Sequence, residues 1–594
     1  MASRRRAKSP WDERSIVFWC FHGGFGAILM CFAPLAIPYM NTTALLLGLS
    51  LAGSIPGRAP APRLVVLVSV DQLIPEQLER LAPWLDGGLG RFHRTGRTFR
   101  AAELGYARTE TGPGHVTLST GTYPSTHGVV GNGFFDRERR HMVYCVGDDS
   151  VAPLTSDGVQ GVPVGGGDMS PRSIRVPGLG DYMVAASGDS KVVSIAGKDR
   201  AAVGMGGQEA DVAIWWDRAA GGFRSSTYYA DALPDWVLEW NGTWPDRYQD
   251  FAAQGWQPLR SEYPGSGTAA DDRKGEMAGF FRRRVFPYGM PGIDSVSDAA
   301  ALARAAAVTF STPLVDEFVL SMASVAIEQF DLGADAAPDL LAIGLSACDI
   351  TGHSFGPYSR EVTDVLMRAD DGLGELFDLL DERLGSDGWI ACLSADHGIL
   401  DLPEGLRERG IDSDRIPQAE VVGLRERVVG RFGEAFGSDL GFDYTGGLVF
   451  DEQQIQERDL DPLGVWDLAA HVALETEWIV RAYTFAELRE TDVQSGAPAA
   501  DPLRRLMARS VAEGRGPDVS LVRRPWTLLA VPTGTSHGSP YAYDRRIPLV
   551  FMGPGFAPGT SHEPVGAVDA APTLLDALGI EVPERMDGRA LPRE

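Results

Sequence analysis

Seven side chains of this 594-residue chain are of the types that bind divalent metal ions together. They are Asp71, Thr111, Asp349, His353, Asp396, His397 and His537. Carboxylates, imidazoles and a deprotonatable hydroxyl, without cysteine, suit zinc in sites that have three protein ligands and an open position. Two such metals roughly 4 Å apart can hold both the attacking and the leaving oxygen of an in-line displacement at phosphorus. The residue types therefore indicate two-metal phosphoryl chemistry.

The threonine of this set opens the segment Thr-Gly-Pro-Gly-His, which turns into a short helical pattern. A hydroxyl at a helix N-terminus lies near unpaired backbone N–H groups and the positive end of the helix dipole. Both features favour a bound anion and a developing alkoxide. Thr111 is therefore a candidate nucleophile, and the alternative is that it only caps the helix.

The three aspartates of this set closely follow hydrophobic runs that we predict to be buried strands of a parallel sheet. The runs are Leu64–Val70, Asp339–Leu345 and Trp389–Ser394. In open α/β sheets, ligands collect outside the carboxyl ends of the strands. We expect Asp349 and His353 to lie on a loop that wraps around one metal. We also expect that the adjacent Asp396 and His397 cannot both face the core.

The rest of the chain predicts one large catalytic domain, residues 61–594, with two insertions. The first, about residues 134–336, is expected to cover the edge of the sheet, and the second, about 400–530, is helical and charged. Lys198 and Arg200 lie in the first insertion after a predicted strand. In a chain whose formal charge is 54 − 80 = −26, this basic pair is a candidate anion clamp, the alternative being a solvated turn. The same charge argues against nucleic acid as a partner.

Residues 1–60 predict an export signal or an N-terminal membrane anchor. Arginines at positions 4–6 form a basic start, and no charged residue occurs from Ser15 to Gly57. A buried core helix is the alternative, but so long a stretch without charge disfavours it. We therefore expect an exported protein that is periplasmic, secreted or membrane-anchored on the outer side.

Five segments together resemble the alkaline phosphatase superfamily. They are Asp71, the Thr-Gly-Pro-Gly-His segment, the Asp-x-x-x-His segment, the Asp-His pair and the late Gly-x-Ser-His-Gly segment. The closest resemblance, over essentially all of residues 61–594, is to secreted, phosphate-irrepressible bacterial alkaline phosphatases, relatives of the nucleotide pyrophosphatase/phosphodiesterases. The resemblance implies an α/β fold, a three-layer α/β/α sandwich around a largely parallel sheet.

The resemblance also implies two zinc ions and a role for each site residue. One zinc would be held by Asp349, His353 and His537. The other would be held by Asp71, Asp396, His397 and the Thr111 oxygen. Thr111 would be the nucleophile that forms a phosphothreonine, and the groups that contact the phosphoryl oxygens would be Asn132, Lys198 and Arg200.

The expected activity is the release of inorganic phosphate from a broad range of small-molecule phosphate monoesters. The alternative is a phosphodiesterase or nucleotide pyrophosphatase on the same scaffold. Lys198 and Arg200 argue for the monoester, because a basic pair favours its two negative charges over the single charge of a diester. A sulfatase is disfavoured because its Cys-x-Pro-x-Arg motif is absent. A binding protein that has lost catalysis is disfavoured because all seven key positions carry competent side chains. The sequence predicts no oligomeric state.

Overall fold

The computed structural model describes residues 62–594 except residues 159, 161–166, 264–267, 280, 296, 438–439, 445 and 495–499. The predicted export segment, residues 1–60, lies outside the described residues. Within the described part, no single helix has the length and apolar composition needed to cross a membrane. The helices Ala299–Phe310 and Leu314–Gln329 meet those criteria only as a pair, which bends by 90°.

The described residues contain twenty strands. They are β1 (Leu64–Val70), β2 (Arg97–Glu103), β3 (Gly133–Asp136), β4 (His141–Tyr144), β5 (Gly147–Asp148), β6 (Pro153–Leu154), β7 (Asp168–Met169), β8 (Val192–Ala196), β9 (Val212–Trp216), β10 (Phe223–Ser226), β11 (Asp339–Leu345), β12 (Trp389–Ser394), β13 (Asp414–Ile416), β14 (Phe442–Tyr444), β15 (Gly447–Phe450), β16 (Ile479–Thr484), β17 (Val519–Arg523), β18 (Thr527–Leu529), β19 (Leu549–Met552) and β20 (Gly559–Gly566).

Ten of these strands form one central sheet in the order β20-β2-β19-β12-β1-β11-β8-β9-β10-β6. Its centre is parallel: β1 pairs with β12 on one side and β11 on the other, and β8 and β9 continue in the same direction. Strand β19 runs antiparallel to β12 and β2, and β10 runs antiparallel to β9. Every residue of β1, β11 and β12 is buried, as expected for aliphatic runs covered on both faces. The sheet confirms the predicted α/β class.

The described residues also contain twenty α-helices. They are α1 (Pro75–Leu81), α2 (Gly88–Thr95), α3 (Thr111–Thr120), α4 (Pro124–His127), α5 (Leu179–Ala186), α6 (Asp199–Gly206), α7 (Asp235–Asn241), α8 (Trp244–Gln254), α9 (Ala299–Phe310), α10 (Leu314–Gln329), α11 (Ala347–Phe355), α12 (Arg360–Leu384), α13 (Pro403–Glu408), α14 (Gln418–Phe436), α15 (Glu452–Glu457), α16 (Pro462–Leu474), α17 (Phe485–Arg489), α18 (Pro502–Ala508), α19 (Ala542–Arg545) and α20 (Ala570–Leu578).

Two groups of these helices cover the sheet. Helices α2, α10, α11 and α12 pack against one another, and helices α3, α5, α6 and α20 form a second packed group. Helix α10 of the first group and α6 of the second both contact β8 and β11. Amphipathic helices on both sides of a mixed sheet give the three-layer sandwich that the resemblance implies.

The first insertion differs from its prediction. Its strands β8, β9, β10 and β6 extend the central sheet, so this segment builds the sheet rather than only covering its edge. The physical reason is composition, because β8 and β9 are continuous buried runs of apolar residues (Val-Val-Ser-Ile-Ala and Val-Ala-Ile-Trp-Trp). Such runs are typical of strands that are buried on both faces of a sheet.

The second insertion contains more than the helices and charges that the sequence predicts. Helices α14 and α16 are present, and beside them lies a separate four-stranded sheet in the order β14-β15-β17-β16. A second apolar core joins this sheet to the two helices. The sequence pattern misses the sheet because two of its strands, β14 and β15, have only three and four residues, too few to show alternation.

Candidate active site

Three aspartates meet at the carboxyl edge of the central strands. Asp71 directly follows β1, Asp396 lies two residues after β12, and Asp349 lies on α11, which begins two residues after β11. Because β1 lies between β11 and β12 and all three run parallel, their ends share one edge of the sheet. The three side chains are almost fully buried there. Such a concentration of carboxylates requires compensating positive charge.

Asp349 and His353 lie on a helix, and the prediction of a loop was wrong. They are one turn apart on α11, with His353 Nε2 at 3.2 Å from Asp349 Oδ1. Gly352 permits the close approach of Gln72 to this helix, because a Cβ at position 352 would overlap Oε1 of Gln72. A four-residue spacing on a helix aligns two side chains on one face, so it serves the same purpose as the expected loop.

Asp396 and His397 are both fully buried, which contradicts the expectation that adjacent side chains could not both face inward. The chain leaves regular strand geometry after Ser394, so the alternation of faces no longer applies. Asp396 Oδ1 accepts hydrogen bonds from the backbone N–H groups of Gln72 and His397, each at 3.0 Å. These bonds leave Asp396 Oδ2 directed at the imidazole of His397, 3.3 Å from its Nε2.

The three predicted histidine ligands share one orientation. The Nδ1 atom of each donates to a backbone carbonyl: His353 to Thr535 at 2.9 Å, His397 to Gly398 at 3.0 Å and His537 to Thr109 at 2.7 Å. A carbonyl oxygen can only accept, so Nδ1 carries the proton in each ring. In the neutral ring, Nε2 then presents its lone pair, the arrangement typical of metal-binding histidines.

Within the described part of the chain, two sets of three residues bring potential metal-ligand atoms within 4.8 Å of one another. The sets are Asp71, Asp396 and His397, and Asp349, His397 and His537. The set with Asp71 matches the zinc site that the resemblance implies for Asp71, Asp396, His397 and Thr111. The set with Asp349 differs from the implied site of Asp349, His353 and His537, because His397 takes the place of His353. The His353 ring nevertheless lies beside that of His537, with centroids 5.1 Å apart.

The first of these sets fits a cation by a further observation. Asp71 Oδ1, Asp396 Oδ2 and His397 Nε2 are buried and have no hydrogen-bond partner among the described residues. His397 Nε2 lies 3.5 Å from Asp71 Oδ1. Buried polar atoms are almost always paired, so three unpaired acceptors that face one another match the donor set of a divalent metal.

Burial and mutual repulsion set the protonation of this cluster. Burial, together with the charges of Asp349 and Asp396, raises the pKa of Asp71 to about 7. Burial also raises the pKa of Asp396 to about 6. Burial lowers the pKa values of His397 and His537, so both imidazoles are neutral at pH 7, the form that binds metals.

Lys198 lies within the carboxylate cluster. Its ammonium contacts Asp71 Oδ2 and lies 2.5 Å from Asp349 Oδ2, and its side chain is buried. The physical reason for this position is charge, because two buried carboxylates attract the ammonium strongly. The expected contact of Lys198 with phosphoryl oxygens stays a prediction. A divalent cation would compete with Lys198 for the same oxygens.

Thr111 is the first residue of α3 and is buried. Its Oγ1 lies 3.4 Å from Nη2 of Arg200. His115, one turn later, connects this turn to the cluster: its Nδ1 lies 2.9 Å from the Thr111 carbonyl oxygen and 3.4 Å from Asp396 Oδ2. Arg200 is thus the predicted phosphate contact that the structure places directly beside the candidate nucleophile.

Asn132 is fixed by groups on either side of Thr111. Its Oδ1 accepts from the Gly112 N–H at 2.7 Å, and its backbone N–H donates to Glu110 Oε2 at 2.6 Å. Since Oδ1 is occupied, the amide NH₂ is the part of this side chain left to donate to a ligand. Glu110 was missed by sequence reasoning, and its only signal was its position directly before Thr111.

Gln72 is a second residue that sequence reasoning missed. Its Nε2 donates to Asp349 Oδ1 at 2.7 Å, while its backbone N–H bonds Asp396. Its backbone φ is +72°, which is unfavourable for a residue with a side chain and is typical of functional sites. Its signal in the sequence was its place immediately after Asp71 at a strand end.

A cavity of about 420 Å³ opens beside the cluster. Asn132, His353 and His537 line one part of it, and Tyr444 and Arg523 of the second insertion line another. The second insertion, in which the sequence shows no catalytic pattern, therefore forms part of the wall of the candidate site.

Comparison with known proteins agrees with this architecture. The family model described as type I phosphodiesterase / nucleotide pyrophosphatase matches residues 65–429. Alkaline phosphatase PhoK from Sphingomonas sp is 32% identical over 558 residues, 90% of this chain and 91% of PhoK. Alkaline phosphatase PafA from Elizabethkingia meningoseptica is 29% identical over 543 residues, 90% of this chain and 94% of PafA.

A solved structure of PafA also matches the fold. The crystal structure of the wild-type protein superimposes with a TM-score of 0.79 at 28% identity, covering 90% of this chain and 99% of that one. The match with the family model extends over more than half of the chain, and the match with PhoK over nearly all of both proteins. The chain therefore belongs to the type I phosphodiesterase / nucleotide pyrophosphatase family, within the alkaline phosphatase superfamily.

Proposed function

We propose that this chain is a phosphomonoesterase that releases inorganic phosphate from small-molecule phosphate monoesters, with Thr111 as nucleophile and two zinc ions as cofactors. The observation that carries the proposal is the cluster of two ligand sets joined by His397, in a site where Arg200 contacts the hydroxyl of Thr111. The alkaline phosphatases PhoK and PafA, similar over nearly their whole length, support it further.

The chemistry consists of two displacements at phosphorus. In the first, a bond forms between Thr111 Oγ1 and phosphorus while the bond to the oxygen of the leaving alcohol breaks. In the second, water cleaves the phosphothreonine and restores the hydroxyl. Bound divalent metals supply the charge that lowers the pKa of a hydroxyl or water and stabilises a leaving oxygen. The N-terminus of α3 adds its dipole at the same point.

Arg200 and Asn132 orient the phosphoryl group. The guanidinium of Arg200 lies beside Thr111 Oγ1, where it can donate to two phosphoryl oxygens in a fixed plane. Asn132, whose Oδ1 bonds the Gly112 N–H at the start of α3, offers its amide NH₂. Lys198 would also bind the phosphoryl group when bound metals replace its ammonium at the Asp71 and Asp349 oxygens. Catalysis of phosphoryl transfer depends mainly on positioning and electrostatic stabilisation, and these residues supply both.

A PafA variant supports these assignments. In that solved structure, one threonine, one asparagine, one lysine and one arginine are substituted together. The intervals between the threonine and the asparagine, and between the lysine and the arginine, equal those between Thr111 and Asn132 and between Lys198 and Arg200. A set substituted together in a relative fits a shared role at one site.

Zinc is the metal that best fits the ligands. The seven positions offer three imidazoles, three carboxylates and one hydroxyl, a mixture that suits zinc better than the oxygen-only sites of magnesium or calcium. The protein acts outside the cytoplasm, as the long uncharged stretch of residues 15–57 predicts, and that stretch lies outside the described residues. Cell fractionation of the full chain tests the location, and recovery in the cytoplasm would contradict it.

A substrate panel tests the proposed function. Purified full-length protein loaded with zinc is expected to hydrolyse phosphate monoesters with a much higher kcat/KM than the matching methyl diester. Combining Lys198→Ala with Arg200→Ala is expected to lower this ratio at least tenfold, because the diester lacks the second charge that the basic pair binds. A preference for the diester, or a ratio that the double substitution leaves unchanged, would favour the phosphodiesterase alternative.

A further inference from the structure

The hairpin of β3 and β4 connects Asn132, which bonds the backbone beside Thr111, to Tyr144, which bonds Arg200. It begins directly after Asn132 and ends at Tyr144, where Gly133 pairs with Tyr144 across its open end. The backbone N–H of Cys145 donates to the Asn132 carbonyl at 2.9 Å and closes this end. Tyr144 is therefore fixed to the same short segment as Asn132, in a place where it reaches Arg200.

Tyr144 stands between Arg200 and Asp199 in a chain of hydrogen bonds. Its hydroxyl donates to Asp199 Oδ1 at 2.7 Å and accepts from Arg200 Nη1 at 3.2 Å. The other terminal nitrogen of Arg200, Nη2, is the one beside Thr111. Arg200 Nε is buried and has no hydrogen-bond partner within the described ranges. The Tyr144 hydroxyl is thus the principal side-chain group that sets the plane of this guanidinium.

We propose that Tyr144 and Asp199 are positioning residues that hold the Arg200 guanidinium against Thr111 for binding of a phosphoryl dianion. The inference rests on the proposed function, since it explains how one of its phosphate contacts is oriented. Asp199 Oδ1 lies 3.9 Å from Arg200 Nη1, beyond a direct hydrogen bond. The Tyr144 hydroxyl donates to that oxygen, which also accepts from the Arg200 backbone N–H at 2.6 Å, and it offers its own oxygen to the guanidinium.

The tyrosine therefore acts as a spacer between two opposite charges. Without its hydroxyl, the guanidinium can close the remaining distance to Asp199 and form a direct ion pair. That movement draws Arg200 away from Thr111 and away from the phosphoryl group. Burial and the nearby Asp199 carboxylate raise the pKa of Tyr144, so the hydroxyl keeps the proton that it donates.

Tyr144→Phe tests this role, because it removes only the hydroxyl. The zinc-loaded variant is expected to lose about tenfold in kcat/KM for a phosphate monoester and to bind inorganic phosphate correspondingly more weakly. Adding Asp199→Asn to this variant is expected to restore part of the loss, since the competing charge is gone. In an Arg200→Ala background, Tyr144→Phe is expected to have no further effect.

A matched control is available on α5. The hydroxyl of Tyr182 accepts from Arg585 Nε at 2.7 Å, so Tyr182→Phe breaks the same kind of contact outside the site. It is expected to leave kcat/KM and phosphate affinity unchanged.

Two results would overturn the inference: wild-type phosphate affinity and turnover in Tyr144→Phe, or an equal loss with and without Arg200. A wild-type protein that binds phosphate but hydrolyses no monoester would instead refute the proposed function. Phosphate affinity, measured by calorimetry, would still decide the role of Tyr144.

Discussion

Gln72 joins two of the predicted metal ligands through one residue. Its side-chain amide bonds Asp349 and its backbone N–H bonds Asp396, at the ends of two different strands. Groups that bond a metal ligand fix its orientation and its basicity, and their loss commonly lowers metal affinity by about 10- to 100-fold. The strained backbone at this position is consistent with such a role.

Gln72→Leu is expected to weaken metal binding without removing any ligand. The substitution keeps the side-chain volume close to that of glutamine but leaves Asp349 Oδ1 without its donor, so zinc affinity falls by about tenfold or more. Competition with a chelator of known affinity measures the change. Gln77→Leu is the control, because Gln77 is buried and its side chain bonds two backbone groups, the carbonyl of Pro357 and the N–H of Ile74, rather than a candidate ligand. Equal zinc affinity in Gln72→Leu and wild type would contradict the role of Gln72.

Contacts such as those of Gln72 and Tyr144 mark the limit of sequence reasoning at the residue scale. The ligand types were visible because Asp and His follow aliphatic runs at strand ends. The groups that orient them were not, since Tyr144 and Asp199 are 55 positions apart and no local pattern links them. A hydrogen bond between such residues depends on how the hairpin packs against α6, which no local pattern encodes.

Among the elements, α3 packs closely against the segment after β12 that carries Asp396. Its first turn carries Thr111, and at Gly114 the helix backbone lies directly against Asp396. A Cβ at position 114 would overlap the carbonyl oxygen of Asp396. That backbone cannot move without moving the Asp396 side chain, which is a candidate metal ligand. The closeness of helix and strand end is what brings the candidate nucleophile to the carboxylate cluster.

Gly114→Ala is therefore expected to damage both stability and catalysis. The extra methyl group must displace α3 or the Asp396 backbone, at a cost of about 1–3 kcal/mol in the free energy of unfolding. We expect monoester turnover to fall by more than the loss of stability alone would cause. The reason is that a displacement of about 1 Å at a reacting group can cost about 100-fold in rate. Thermal unfolding and kcat/KM are measured on the same preparation.

Gly433→Ala on α14 is the matched control for this substitution. No atom lies within 4 Å of a Cβ at that exposed helical position. Alanine is the better helix former by about 1 kcal/mol, so the variant is expected to be slightly more stable and fully active. A Gly114→Ala protein with wild-type turnover would show that the close contact is not required.

The elements themselves were predictable where their hydrophobic runs were long. Strands β1, β11 and β12 have the bounds that the sequence predicts, because continuous aliphatic runs leave little choice of structure. The small sheet of the second insertion was missed because its strands are short, and its pairing joins segments far apart in the chain, such as β15 and β17. Helix α11 was taken for a loop because Gly352 interrupts its sequence, although the glycine is needed there for close packing.

At the scale of the whole molecule, the central sheet and its two helix layers support a centre with more negative than positive charge. The chain as a whole is also acidic, with a formal charge of −26. Ligands bound only by the folded state stabilise it by mass action, and a metal at buried carboxylates removes part of their repulsion as well. The fold and the metal centre are therefore expected to be thermodynamically linked.

Removal of metal is expected to lower the melting temperature. A chelator should reduce the Tm of the wild-type protein by several degrees, and added zinc should restore it, because a site loaded at 100 times its Kd contributes about 2.7 kcal/mol. His537→Ala, which lacks one ligand of the second set, should show a smaller shift. Equal Tm values with and without chelator would contradict a metal centre in this cluster.

The most direct test of the account is the zinc content of Thr111→Ala measured beside its turnover of a phosphate monoester. We predict that the full-length variant retains close to two zinc ions per chain by elemental analysis, as in the wild type, while turnover falls by more than about 10³-fold, because the nucleophile is gone and most ligands remain. A Thr111→Ala protein that hydrolyses the monoester at the wild-type rate would contradict the account.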